Sequence, residues 1–488
     1  MSTLIMKFGG TSTGSEYALN RATELVFAQT GQWDHVIVVV SAMDGVTNLL
    51  LDCAELSLSS DFSAWEEKIS LLRERLEGMI RSIFDGDRSR QPLLDLIYRR
   101  MVDLTNICQQ IRIKGSIDPQ DLDEIAALGE RINAHVFSAL LCKRGILSQA
   151  VEAINLIVTD TCHQSASPIQ PETDACIKTL LSPLLAADTI PVVTGFIGAT
   201  PEGKTTTLGR GGSDYTAAII GKSLGADEIW IWTDVDGIMS TDPKLTSRAR
   251  LIPEISYQEV YKLSYYGAKV LHPKTIRPAC EDNIPIWVKN TFNTGSEGTR
   301  ISKSQKPAMD TITAITGYIN VILFTVQVEP GRELLMIKDQ IHKHLVNRGI
   351  HILLSSLQED EYTVSFAFDR KFLRRAIQVL IEAPILGSFD VPISQVQSTD
   401  NMAIIAIIGS EIHTSNIIQL KISTLLEKTG VHTHLMDRDT TPDCLVYLVN
   451  KNDVMTAIVN IHDEVIIHEQ MIPFKAPSPI HHSELTLT

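Results

Sequence analysis

Five β-branched residues in a row, Val36-Ile37-Val38-Val39-Val40, constrain this chain more than any other stretch. Branched side chains crowd a helix but pack well on a pleated surface. A run with no polar residue has no face to show to water, so it reads as a strand covered on both sides. It is also too short for a buried helix. Before it lie an apolar run at 4–8 and a helical stretch at about 15–30. Strand, helix and strand in that order imply a parallel sheet with covering helices, an α/β fold.

The rest of the chain extends that frame. Between about 61 and 142, apolar residues recur at helical spacing, first Leu71-Leu72, Leu76, Met79-Ile80 and Ile83, then Leu93-Leu94, Ile97, Met101, Leu104 and Ile111. Residues 115–119 break the run and a new helix is expected near Asp121; this block reads as a helical elaboration set onto the α/β core. The α/β rhythm resumes with a strand at 191–196, a helix at 213–224 with Ser213 as its N-cap, a strand at 228–233, and a last strand of the unit at 285–288. From about 312 the texture changes. A strand at 321–328, a helix at 333–347, strands at 350–355 and 362–368 and a helix at 370–381 are followed by the same order at 403–409, 415–429, 431–436, 444–449 and 453–461. Two β-α-β-β-α units in succession are an internal repeat of α+β type. The expected partition is 1–300, 313–395 and 396–472, with a tail at 473–488 that includes His481-His482 and carries no metal site.

Composition excludes several classes. With 488 residues, 44% of them hydrophobic, the chain is long enough for several globular cores. A net charge of −15 argues against a nucleic-acid binder, which needs a basic face. The seven cysteines are scattered and no C-x-x-C occurs, which fits reduced thiols in the cytoplasm and no zinc site. The first residues lack a signal peptide's basic and apolar regions, and no apolar run reaches the roughly 20 residues of a membrane span.

Chemistry concentrates in three loops. Lys7-Phe8-Gly9-Gly10-Thr11-Ser12 places two glycines at a strand-to-helix turn, where backbone N–H groups can approach an anion. Alone, such a pair is more often a simple tight turn. Leu208-Gly209-Arg210-Gly211-Gly212-Ser213-Asp214 sets an arginine, able to grip a carboxylate or phosphate with two bonds, among three glycines before a helix. The stretch 233–244, from Thr233-Asp234 to Lys244, lies at the carboxyl end of a strand, where open α/β sheets hold ligands. There is no Walker A pattern. Two glycine loops, each with a basic residue, point together to phosphate chemistry.

These motifs, with Ser41-Ala42-Met43-Asp44-Gly45-Val46-Thr47-Asn48, Leu128-Gly129-Glu130-Arg131, Gly195-Phe196 and Gly267-Ala268-Lys269-Val270-Leu271-His272-Pro273, resemble the aspartate kinases of the amino-acid kinase family across residues 4 to about 300. The C-terminal repeats resemble paired ferredoxin-like ACT domains more weakly. The resemblance implies ATP-dependent phosphorylation of the L-aspartate side chain, with Mg²⁺ on the ATP. It makes Lys7 and Asp214 the catalytic pair. Ser41, Thr47, Glu130, Phe196, Arg210 and Ser213 become substrate residues, Glu130 for the ammonium and Arg210 for a carboxylate. Lys7, Gly9, Gly10, Thr11, Thr233, Asp234, Met239, Lys244, Lys269 and Val270 become nucleotide residues. A carboxylate acceptor is already a nucleophile, so positioning and charge stabilisation suffice without a general base. The resemblance also implies a homo-oligomer, dimer or tetramer, joined through the ACT-like units, and a monofunctional enzyme without a homoserine dehydrogenase half. Met239 stands where the family often has an aromatic residue, and Lys244 where it has arginine. Residues 327–333 and 355–361 depart from the usual effector loop, which leaves lysine or threonine open as feedback effector. Glutamate as acceptor, or a silent amino-acid sensor, are the competing readings; intact Lys7, Glu130, Arg210 and Asp214 argue against the sensor.

Overall fold

The computed structural model describes residues 1–59, 61–303, 311–328, 333–382, 396–437 and 443–467. The tail at 473–488 and most of the expected effector loop, 329–332, lie outside the described residues. By packing, the chain divides into one unit of 1–239 with 251–307 and a second of 240–250 with 308 onward.

The first unit is built on an eight-stranded sheet. Its elements run β1 (Thr3–Phe8), α1 (Glu16–Gln29), β2 (His35–Val40), α2 (Val46–Ser57), α3 (Phe62–Ile83), α4 (Arg90–Lys114), α5 (Pro119–Lys143), β3 (Ser148–Val151), α6 (Gln170–Ala186), β4 (Ile190–Thr194), β5 (Ile197–Ala199), β6 (Thr205–Thr207), α7 (Gly212–Leu224), β7 (Glu228–Thr233), β8 (Glu254–Ser256), α8 (Tyr257–Tyr265), α9 (Pro273–Glu281), β9 (Ile286–Asn290) and β10 (Thr299–Ser302). The sheet order is β3-β4-β2-β1-β7-β9-β10-β8, and β5 and β6 pair separately as a ribbon. From β3 to β9 every pairing is parallel, and β10 turns antiparallel to β9. Val36 to Val40 are all buried in β2, at the centre, as their composition demands. One continuous core joins the β1 and β2 face to α1 and to the helical elaboration, where Leu72, Leu76, Ile80, Ile97, Leu104 and Ile111 are buried.

The helix expected near Asp121 is present and starts at Pro119, behind a capping box of Asp118 and Asp121, because Pro suits the first helical position. Two local expectations are corrected. Helix α7 is capped by Gly211, left-handed at φ 71°, and not by Ser213, which sits inside the first turn. The strand at 285–288 is not the last of the unit, since β10 follows it.

The second unit contains β11 (Thr311–Gln327), α10 (Leu334–Asn347), β12 (Ile352–Gln358), β13 (Thr363–Asp369), α11 (Leu373–Glu382), β14 (Val396–Ser410), α12 (Asn416–Lys428), β15 (Thr433–Asp437), β16 (Cys444–Asn450) and α13 (Val454–Ile461). They form one antiparallel six-stranded sheet, β12-β13-β11-β14-β16-β15. Both ACT-like repeats are present, yet they are interleaved. Ile312 and Ile315, early in β11, pack with Ile405, Ile422, Tyr447 and Ile458 in one core. Ile322, Phe324 and Val326, late in the same strand, pack with Ile341, Phe366 and Val396 in the other. A cut at 395/396 therefore does not separate the two cores. The changeover falls at an irregularity between Ile319 and Val321, where Asn320 takes a left-handed conformation at φ 70°; Asn401, which precedes Val321's partner Met402 on β14, does so at φ 60°. Asparagine tolerates that geometry better than other side chains.

Candidate active site

A cavity of about 580 Å³ opens at the carboxyl ends of the central strands of the first unit. Its walls include Lys7, Ser41, Thr47, Glu130, Phe196, Arg210, Ser213 and Asp214. All eight residues read from the sequence as catalytic or substrate-binding thus meet in one place.

Each is positioned by an identifiable element. Lys7 is buried near the end of β1, and its ammonium lies 2.5 Å from an Asp214 carboxylate oxygen in the first turn of α7. The two form a largely buried ion pair. Behind Lys7, the Gly9 N–H donates to the Trp232 carbonyl at 3.1 Å and ties the loop to β7. The Ser41 loop is fixed from below, where Asn133 donates to the Ser41 carbonyl at 2.6 Å and to Thr13 Oγ1 at 3.0 Å. Phe196 holds φ 71°, unusual for an aromatic residue, and its N–H donates to Thr216 Oγ1 at 3.0 Å. Strained backbone of this kind persists where surrounding structure fixes it, and such positions cluster at functional sites.

Electrostatics sharpen the picture. Glu130 projects from α5 and is buried; its Oε2 has no hydrogen-bond partner. Burial pushes its carboxyl up to about 8, against the pull of hydrogen bonding to the Ala42 backbone and of the Lys7 charge. An orphaned buried carboxyl oxygen in a cavity marks a place for a cation. Across the cavity, Arg210 is exposed, with no carboxylate pairing it among the described residues. Burial, then the positive charges of Arg210 and Lys274, hold the nearby His272 imidazole below its ordinary value. One end of the site therefore suits a cation and the other suits anions.

The expected nucleotide residues are placed less tightly. Gly9, Gly10 and Thr11 follow Lys7 directly. Thr233 ends β7, with its hydroxyl 3.2 Å from an Asp234 carboxylate oxygen. Lys269 and Val270 precede α9. None of Thr233, Asp234, Met239, Lys269 or Val270 lines the cavity. Lys244 belongs to the segment 240–250 that packs with the second unit. Among the described residues no three His, Cys, Asp or Glu side chains converge as a metal cage, and no helix is long and apolar enough to cross a membrane.

The cavity also holds residues that the motifs did not announce, chiefly Asp123, Gln164 and Thr207. A signal existed for Asp123: it precedes Glu130 by seven positions, two helical turns, and so shares its face of α5.

Residues 2–290 match the amino acid kinase family. The chain belongs to that family. Its relatives within the amino acid kinases include Aspartokinase 1, chloroplastic, of Arabidopsis thaliana, 29% identical over 94% of this chain and 79% of the relative. They also include the bifunctional aspartokinase/homoserine dehydrogenase 2 of the same plant, 28% identical over 95% of this chain. The chain spans 50% of that bifunctional relative's length. Among solved structures, E. coli aspartokinase III in complex with aspartate and ADP, in its R-state, superposes with a TM-score of 0.79 at 25% identity, covering 95% of this chain and all of that one. The same enzyme with lysine and aspartate, in its T-state, gives a TM-score of 0.71 at 26% identity, over 95% of this chain and 99% of that one. The α/β kinase unit followed by ACT-like units is thus the fold of an aspartokinase.

Proposed function

We propose that this kinase transfers the γ-phosphoryl group of ATP to the side-chain carboxylate of L-aspartate, forming 4-phospho-L-aspartate, the entry step to aspartate-derived amino acids. The observation that carries this reading is the presence, in one cavity, of the orphaned Glu130 carboxyl and of the Arg210 guanidinium, which no carboxylate pairs among the described residues. An amino acid with two carboxylates presents the complementary set: its ammonium meets Glu130, its α-carboxylate meets Arg210, and its side chain reaches towards Lys7. Ser41, Thr47, Ser213 and the Phe196 backbone complete the substrate wall.

Lys7 neutralises charge on the phosphoryl group as it passes, and Asp214 orients Lys7. Gly9, Gly10 and Thr11 cradle phosphate, while Thr233, Asp234, Met239, Lys244, Lys269 and Val270 serve the nucleotide. Mg²⁺ enters with ATP on its phosphates. The ACT-like unit takes an amino-acid effector, lysine or threonine, and joins copies of the chain as a homo-oligomer. The cytoplasm suits this reading, since all seven cysteines are free thiols.

The test is ADP release with L-aspartate and with L-glutamate, on the wild type and on Lys7→Ala. L-Aspartate should be the better substrate, and Lys7→Ala should lower kcat on the order of 10²-fold or more, the scale of losing one transition-state charge contact. Turnover absent with L-aspartate, or indifferent to Lys7, would refute the reading.

A further inference from the structure

Helix α5 delivers two carboxylates to the same cavity, and they are treated in opposite ways. Glu130 keeps one oxygen without a partner. Asp123, 1% exposed, is saturated. Its Oδ2 lies 2.7 Å from His163 Nδ1, its Oδ1 accepts from the Thr207 hydroxyl at 2.5 Å, and the Gln164 N–H donates to both oxygens at 3.1 and 3.2 Å. A carboxylate so fully engaged has nothing left to offer a substrate. Its partners show what it does instead.

Thr207 ends β6, three residues before Arg210. Gln164 sits in a separate loop and holds φ 65°, a left-handed conformation that a glutamine adopts only when it is fixed from outside. The two segments are laced together: the Ala166 N–H donates to the Thr207 carbonyl at 2.9 Å, and a Cβ on Gly209 would come within 3.0 Å of the Gln164 carbonyl oxygen. The loop carrying Arg210 therefore starts from a strand end and rests on a turn that the same buried carboxylate clamps.

We propose that Asp123 is a positioning residue for amino-acid recognition, holding the Gln164 turn and the end of β6 so that Arg210 is aimed into the cavity. It acts through Arg210 and touches neither the phosphoryl group nor Lys7. The inference rests on the reading of Arg210 as a ligand for the substrate carboxylate. Asparagine in place of Asp123 keeps the shape but turns one acceptor into a donor facing His163 or Thr207.

The experiment measures KM for L-aspartate, KM for MgATP and kcat on the full chain, for the wild type, Asp123→Asn, Thr207→Val, Arg210→Ala and the Asp123→Asn/Arg210→Ala pair. Asp123→Asn should raise KM for L-aspartate on the order of 10-fold, with KM for ATP changed less than about twofold, because only the substrate wall is displaced. Thr207→Val, which removes one donor at nearly constant volume, should move the same constant in the same direction by a smaller factor. In the Arg210→Ala background the Asp123→Asn effect should largely vanish, since residues acting as a unit are not additive. Equal rises in both KM values, an unchanged KM for L-aspartate, or full additivity with Arg210→Ala would overturn the proposal. If Asp123→Asn fails to fold, Thr207→Val and its pair with Arg210→Ala decide by the same criteria. A wild type inactive on L-aspartate, or an Arg210→Ala that binds it normally, sinks the underlying functional reading; an Arg210-dependent enzyme indifferent to Asp123 and Thr207 sinks this inference alone.

Discussion

Glu130 is the residue whose chemistry departs furthest from its ordinary behaviour. Its carboxyl is pushed from 4.5 to about 8, first by burial. Between those values the folded protein holds a proton that the unfolded chain has released. Stability therefore declines as pH rises through that window, and the full contribution is present only below the lower value. Glu130→Gln removes this dependence, so the variant should gain thermal stability relative to the wild type as pH is raised from about 5 to about 8. On the proposed reading, substrate binding has the opposite preference, because an ammonium needs the anionic carboxylate. KM for L-aspartate should fall as pH rises towards about 8 in the wild type, and Glu130→Gln should show a high, nearly flat KM. Melting curves and KM profiles over this range check both trends, and a wild-type KM that ignores pH would count against Glu130 as the ammonium ligand. The same residue shows why part of the site was readable and part was not. Glu130 stands in a motif, whereas the sequence marks Asp123 only as sharing Glu130's helical face, and its role exists only through three partners 40 to 84 positions away.

Among the elements, α7 ties local conformation to chemistry most directly. Both of its caps are left-handed glycines, Gly211 at φ 71° and Gly225 at φ 64°. A Cβ on Gly211 would come within 2.8 Å of Thr275 Cγ2 and 3.2 Å of His272 Cβ, while around Gly225 there is open space. Gly225→Ala should therefore lose only the conformational cost, about 1–2 kcal/mol, with kcat unchanged. Gly211→Ala should lose more stability and also lower kcat, because Asp214 follows in the first turn. Chemical denaturation with steady-state kinetics on both variants tests this, and equal behaviour of the two would show that the start of α7 is not coupled to the site. Elements were legible where the sequence pattern is plain: β2 buries its whole run from Val36 to Val40, β7 spans the expected 228–233, and α10 buries Leu334, Ile337, Ile341 and Leu345 as their spacing requires. They were illegible where length or context hid the period. Strands β5 and β6 have three residues each, too few to display alternation. Helix α2 begins inside the loop motif at Val46, and the first half of β11 is masked by Gly317.

At the scale of the molecule, the cavity is lined wholly by residues of the first unit, and the second unit is organised around shared strands. Strands β11 and β14 pair along most of their length and contribute side chains to both cores. A chain of two consecutive repeats could lose one and keep the other, but repeats that share their two central strands cannot. Phe366 is buried in the core that contains α10, and β16 belongs to the other core through Leu445, Tyr447 and Val449. Phe366→Ala leaves a cavity and should destabilise its own core by about 3–5 kcal/mol. Because opening that core releases β11 and β14, amide hydrogens of β16 should lose protection by a comparable free energy, although no side chain near them has changed. Amides of β2, in the first unit, should keep theirs. Hydrogen exchange followed by mass spectrometry on peptides covering β13, β16 and β2 measures all three at once. Protection retained in β16 while β13 opens would mean that the two ACT-like units fold independently and that the shared strands do not couple them.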